Sequence, residues 1–181
     1  MTLHLVELQP EQPERDAAAA LVERAEAALR SAGARLLEAH VPRTFERIFL
    51  IAELPGEAPS ADAVGGALLE AGIAFDDVAQ VRLVGAEIEE VRKLAGSRPV
   101  GYLVEWDLPE GLSMDAYLAR KKEKAPLYAQ VPETTFLRTY VREDMDKCLC
   151  LYDAPDEEAV KRAREAVDTP IDRLHALGEL R

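Results

Sequence analysis

The strongest constraint on this chain is an internal echo. Arg47-Ile48-Phe49-Leu50-Ile51-Ala52-Glu53-Leu54-Pro55 reads like Lys147-Cys148-Leu149-Cys150-Leu151-Tyr152-Asp153-Ala154-Pro155, at an offset of 100 residues. At the same offset Ala39-His40-Val41 falls on Thr139-Tyr140-Val141. Near the starts, His4-Leu5-Val6-Glu7-Leu8 falls on Tyr102-Leu103-Val104-Glu105-Trp106, at an offset of 98. Few residues are identical, yet the type and order of the segments agree. A long fixed period is the mark of a structural unit that occurs twice, so the reading is a tandem duplication.

Each copy carries six elements. In the first, Leu3–Leu8, Arg35–Val41, Arg47–Glu53 and Val78–Val84 read as strands, with Pro42 in the turn between the second and third. Leu21, Val22, Ala25, Ala28 and Leu29 form one apolar stripe on a helix from Glu14 to Ser31, which Gly33 ends. A shorter helix spans Ala61 to Ala71, with a weak point at Gly65-Gly66. In the second copy the strands are Val100–Trp106, Thr134–Arg142, Lys147–Asp153 and Ile171–Leu177. Ser113 caps a helix towards Gln130 that Pro126 should kink or end. Asp156, Glu157 and Glu158 suit the positive end of the last helix. The expected organisation is therefore repeat 1 over 1–84, a linker over 85–98, and repeat 2 over 99–181.

Strand-helix-strand-strand-helix-strand is the ferredoxin-like plan. Its helices cover one sheet face only. Here Ile48 and Leu50 are apolar on one side of a strand, and Phe49 and Ile51 on the other. Both faces should then be buried. The expected fold class is α+β: two ferredoxin-like βαββαβ units packed sheet to sheet, resembling a dimeric α+β barrel within one chain.

Composition narrows the partners. The chain has 34 acidic and 22 basic residues, for a formal charge of −12, with both halves acidic. Such a field repels phosphate backbones, so no nucleic acid is expected. No apolar run approaches the ~20 residues of a membrane span, and Met1 to Leu8 carries no secretory signal. The expectation is an acidic cytoplasmic protein with no membrane partner. Two cysteines are too few for a disulfide scaffold.

The residues able to do chemistry are few. Cys148 and Cys150 alternate on a strand and share one face. Two thiolates there could hold a soft metal or react together, but Ile48 and Leu50 at the matching places argue equally for core. Glu7 and Glu105 sit on the central strand of each copy, on otherwise apolar faces, where a carboxylate is costly unless paired or used. Arg138 and Arg142 are candidate partners of Glu105. His40 matches Tyr140, and His4 matches Tyr102. Glu7, His40, Tyr102, Trp106, Arg138 and Tyr140 are thus candidate pocket residues. The basic run Arg120-Lys121-Lys122-Glu123-Lys124 reads as a solvated helix face. No phosphate loop, nucleophile elbow or His-Glu-x-x-His motif is present.

Leu103-Val104-Glu105-Trp106-Asp107-Leu108-Pro109, Phe136-Leu137-Arg138-Thr139-Tyr140-Val141, Cys150 through Val160, and Pro170-Ile171-Asp172-Arg173-Leu174 together resemble a family of small bacterial ferredoxin-like domains. That family was long labelled a domain of unknown function, and its structurally described actinobacterial member binds nickel. The resemblance covers about residues 100–177 and, more faintly, 3–84. It implies a divalent transition metal as cofactor, nickel first, with Glu105, Cys148 and Cys150 as the candidate ligands. Family members often carry a histidine early in the last helix, where this chain has Ala163.

Three readings stay open at this level: a metal-binding protein, an α+β-barrel enzyme acting on a small molecule, and a non-catalytic assembly module. The partner would accordingly be a metal ion or small molecule, and free sheet edges leave room for a homo-oligomer. Any specific site is expected in the second copy, around Glu105, Arg138, Tyr140 and Cys150.

Overall fold

A computed structural model describes residues 1–56, 61–94 and 100–180. The chain forms two compact units: Met1–Val81 with Ile88–Arg98 and Leu177–Arg181, and Arg82–Glu87 with Pro99–Ala176. The fold is α+β, and all its strand pairs are antiparallel.

In the first unit β1 (Thr2–Leu8) is central. It pairs with β3 (Ile48–Leu54) on one side and β4 (Asp77–Val84) on the other, and β2 (Arg35–Pro42) flanks β3. Val6, Leu8, Ile48 and Leu50 pack against Val22, Ala25 and Leu29 of α1 (Arg15–Ser31) and Val64 and Leu68 of α2 (Ala61–Glu70). Gly65 has a packing reason to lack a side chain: a Cβ there would stand 3.0 Å from the Phe75 ring. The expected linker holds a third helix, α3 (Ile88–Leu94), which Arg92 ties to Glu53 of β3.

The second unit repeats the plan. β5 (Tyr102–Asp107) is central between β7 (Lys147–Asp153) and β8 (Arg173–Gly178), with β6 (Thr135–Arg142) beyond β7. Helices α4 (Met114–Lys124) and α5 (Glu157–Ala166) cover one face. Ser113 and Asp156 cap them, accepting from the backbone N–H groups of Ala116 and Ala159 at 3.1 and 2.8 Å. α4 stops short of the expected Gln130 because Pro126 lacks an N–H, and the chain continues as a 3-10 turn over Ala125–Gln130.

Local irregularities recur at the 100-residue offset. A bulge between Leu36 and Glu38 in β2 is matched by one between Phe136 and Arg138 in β6. Phe45 and Met145 both take positive φ, 56° and 61°. Their N–H groups donate to the carbonyls of Pro42 and Arg142 at 2.9 and 3.0 Å. A non-glycine residue there costs on the order of 1 kcal/mol, so the same strained turn is built twice. Pro42 closes β2 instead of lying in the turn. β3 is buried along its whole length and β7 up to Tyr152, so both faces of these strands lie out of water.

Candidate functional site

Pairing fixes which side chains share a face. Cys148 lies opposite Trp106, and Cys150 opposite Val104, on the helix-covered face of the second unit. Glu105 lies opposite Leu149, and Tyr140 is also opposite Leu149, so both belong to the other face. The structure thus brings the cysteines together but not with Glu105. Tyr102 and Trp106 stay on the cysteine face, whereas Tyr140 lies on the opposite face with Glu105. Arg138 pairs with Leu151 and is buried on the Tyr140 side. Glu7 and His40 lie in the first unit, opposite Phe49.

Glu105 is fully buried and heavily paired. Lys147 Nζ donates to one oxygen at 2.8 Å; Arg173 Nε donates to the other at 2.9 Å, and His175 Nε2 lies 2.7 Å from it. Its partners are therefore these three, not the expected Arg138 and Arg142. Burial pushes the carboxyl up, but the bonds from His175, Lys147 and Arg173 outweigh it and hold Glu105 well below the usual carboxylate range. A carboxylate so satisfied is a structural anchor, with little capacity left for a metal or a substrate proton. Glu7 makes the matching pair with Arg47, whose guanidinium lies over the Phe49 ring at 5.3 Å. His40 Nε2 lies 3.4 Å from Glu38.

The thiols have a richer setting. Their sulfurs are 3.9 Å apart, and neither residue is exposed. Around Cys150 Sγ stand Thr139 Oγ1 at 3.2 Å, Arg164 Nη1 at 3.4 Å and Lys121 Nζ at 4.0 Å. Lys121 also donates to Thr139 Oγ1 at 2.8 Å. That leaves the Thr139 proton for the sulfur, and ammonium and guanidinium groups donate only. Cys150 therefore accepts from Thr139, Arg164 and Lys121, the surroundings of a thiolate, while in its contact with Cys148 either sulfur can donate. The Cys148 hydrogen bond, then Lys121, Arg164 and Thr139, hold its thiol well below the ordinary range against burial. Burial pushes Cys148 up, so it keeps its proton.

Arg164 is 2% exposed. Nη1 also reaches the Tyr152 hydroxyl at 3.2 Å, and Nη2 donates to the Pro170 carbonyl at 2.5 Å. The buried Nε–H has no partner among the described residues. Tyr128 and Tyr152 share a 2.8 Å hydroxyl contact, and burial together with the nearby Cys150 pushes Tyr128 up to about 12.

This cluster borders a cavity of about 230 Å³ under α4. Trp106, Tyr128 and Phe136 supply aromatic wall, and Arg120, Lys121 and Arg164 supply charge. Arg120 and Arg164 lie over the Trp106 ring at 6.0 and 5.9 Å, and Lys121 over Phe136 at 4.5 Å. Gly85, at φ 88°, makes room for Phe136: a Cβ would meet that ring at 2.7 Å. Of the six expected pocket residues, Trp106 lines the cavity. Sequence reasoning missed Lys121 and Arg164. Lys121 sits in the run read as a solvated face, yet its head turns inward to Thr139. Arg164 carried a usable signal, since it interrupts the apolar stripe Ala159, Val160, Ala163, Val167 of α5.

Nickel, implied by the resemblance, finds a poor donor set here. Among the described residues no three His, Cys, Asp or Glu side chains converge, and two cations already face Cys150. These residues as they stand do not fit a nickel ion.

Comparison with known proteins agrees in part with the sequence reading. Two solved structures share the fold: a candidate chlorite dismutase, TA0507 (16% identity, TM-score 0.52), and a candidate monooxygenase from Lactobacillus acidophilus NCFM (13% identity, TM-score 0.51). Each match covers 99% of this chain and 94% of the other. No curated protein matches the chain. The family described as nickel-responsive, SCO4226-like proteins matches residues 102–177, the stretch that holds β5, the thiol pair and α5.

Proposed function

We propose that the second unit is a small-molecule-binding module whose ligand occupies the cavity under α4. The observation that carries this reading is the aromatic wall of Trp106, Tyr128 and Phe136 beside a buried arginine with an N–H unanswered among the described residues. At about 230 Å³ the space is small for a ligand pocket, which favours a single-ring compound. Trp106 is the only tryptophan in the chain, so its fluorescence reports occupancy directly. Titration with single-ring aromatic compounds should give saturable change in that emission. A flat response across such compounds would remove the reading.

Metal handling is the second reading. The 3.9 Å sulfur pair and the description of the matching family favour it, and the cations beside Cys150 weigh against it. Dialysis against nickel separates the two. Stoichiometric retention lost in Cys148→Ala would raise the metal above the cavity, and no retention would dismiss it.

The two units, on this account, descend from one duplicated βαββαβ ancestor. Its support is the bulge and strained turn that recur 100 residues apart, with an ion pair whose glutamates stand 98 residues apart and whose cations stand 100 apart.

A further inference from the structure

The charges around the cavity do not balance. In a chain with 34 acids and 22 bases, cations normally find carboxylates. Lys121 and Arg164 do not. Among the described residues their polar partners are Thr139, Cys150, Tyr152 and the Pro170 carbonyl. The one anion they share is the Cys150 thiolate. Two positive heads thus share one acceptor of negative character, beside an apolar cavity that Arg120, Lys122 and Lys124 also line. A buried guanidinium that shares its counter-charge with a lysine is only partly compensated, which is costly, and leaving its Nε–H unbonded adds to that cost. A site built this way is incomplete until an anion joins it.

We infer that the cavity ligand is a small aromatic monoanion, a carboxylate on a single flat ring, whose charge is met by Arg164 and Lys121 while its ring lies among Trp106, Tyr128 and Phe136. This deepens the small-molecule reading and rests on it. Three features select the class. The aromatic lining favours a flat apolar body. Arginine and lysine heads favour a carboxylate, which takes charge-assisted hydrogen bonds from both. The Cys150 sulfur disfavours a dianion, whose second negative charge would crowd an acceptor that already draws on both heads.

Three probes with one ring separate the parts of the argument: benzoate, benzyl alcohol and phenyl phosphate, each titrated against the full chain by Trp106 emission and calorimetry. Benzoate should bind at least about tenfold tighter than benzyl alcohol, the margin expected for a charged hydrogen bond. Phenyl phosphate should bind more weakly than benzoate at neutral pH. Arg164→Met should lower benzoate affinity about tenfold while leaving benzyl alcohol unchanged, and Lys121→Met, at a half-buried position, gives the same readout should the arginine variant fold poorly. Equal binding of benzoate and benzyl alcohol would overturn the anion and leave the cavity reading standing. Tighter binding of phenyl phosphate would overturn the monoanion assignment. Absence of binding by all three would overturn both.

Discussion

The two units share a backbone plan and differ in what fills it. At the 100-residue offset, Ala39, Ile48, Leu50, Ala52 and Val64 of the first unit stand where the second has Thr139, Cys148, Cys150, Tyr152 and Arg164. All ten are buried. In the first unit the space between helices and sheet is an ordinary hydrophobic core. In the second it holds a thiol pair, a buried arginine and an inward lysine beside a cavity. The opposite faces differ less, for Glu7–Arg47 and Glu105–Lys147 are matched ion pairs. Scaffold features are thus common to both units, and the chemical novelty is confined to one face of one of them.

The largest test of this contrast lies in the matched carboxylates. Glu105→Gln removes the buried acceptor shared by Lys147, Arg173 and His175 and should cost about 4 kcal/mol of stability, the size seen when one member of a buried charge cluster is removed. Glu7→Gln weakens the pair with Arg47, whose side chain is partly solvated, and should cost about 2 kcal/mol. Denaturant midpoints of the two variants check the order, and equal losses would break it. The Glu105 effect also depends on pH in a defined sense. Its folded pKa lies below the unfolded one, so its stabilisation is complete above the unfolded value and fades as pH falls through the folded one. The gap between wild type and Glu105→Gln should therefore close as the solution is acidified below about pH 4.

The next effect concerns the arginine. Arg164→Met should destabilise by about 3 kcal/mol, because it leaves a thiolate and a tyrosine hydroxyl short of a donor. Adding Cys150→Ala should return about 1 kcal/mol, as the stranded charge goes with the sulfur. A purely additive double variant would show that the two side chains do not form the unit described.

The smallest pair compares glycines. Gly85→Ala combines φ 88° with a 2.7 Å clash against Phe136 and should cost about 2 kcal/mol. Gly65→Ala meets the Phe75 ring at 3.0 Å on an ordinary helical backbone and should cost about 1 kcal/mol. Thermal midpoints would order them.

The elements were legible because they follow from periodicity, caps and breakers. The stripe of Leu21, Val22, Ala25, Ala28 and Leu29 gave α1, and Pro126 marked the end of α4 within two residues. The common face of Cys148 and Cys150 followed from strand alternation. Strand order was the limit for the site. Whether Glu105 meets the cysteines depends on register across β5 and β7, and the sequence alone does not supply that register. Lys121 was hidden for a different reason: a basic run on a helix looks solvated, and only the position of α4 over β6 and β7 reveals which head turns inward.

The central claim is that one face of the second unit is a ligand site and its counterpart in the first is packing. Amide NMR during a benzoate titration tests this most directly. The account predicts saturable shifts at Lys121, Tyr128, Phe136 and Arg164, with the amides of Ile48, Leu50 and Val64 unmoved. Shifts of equal size in the first unit, or none around Arg164 at saturating benzoate, would contradict it.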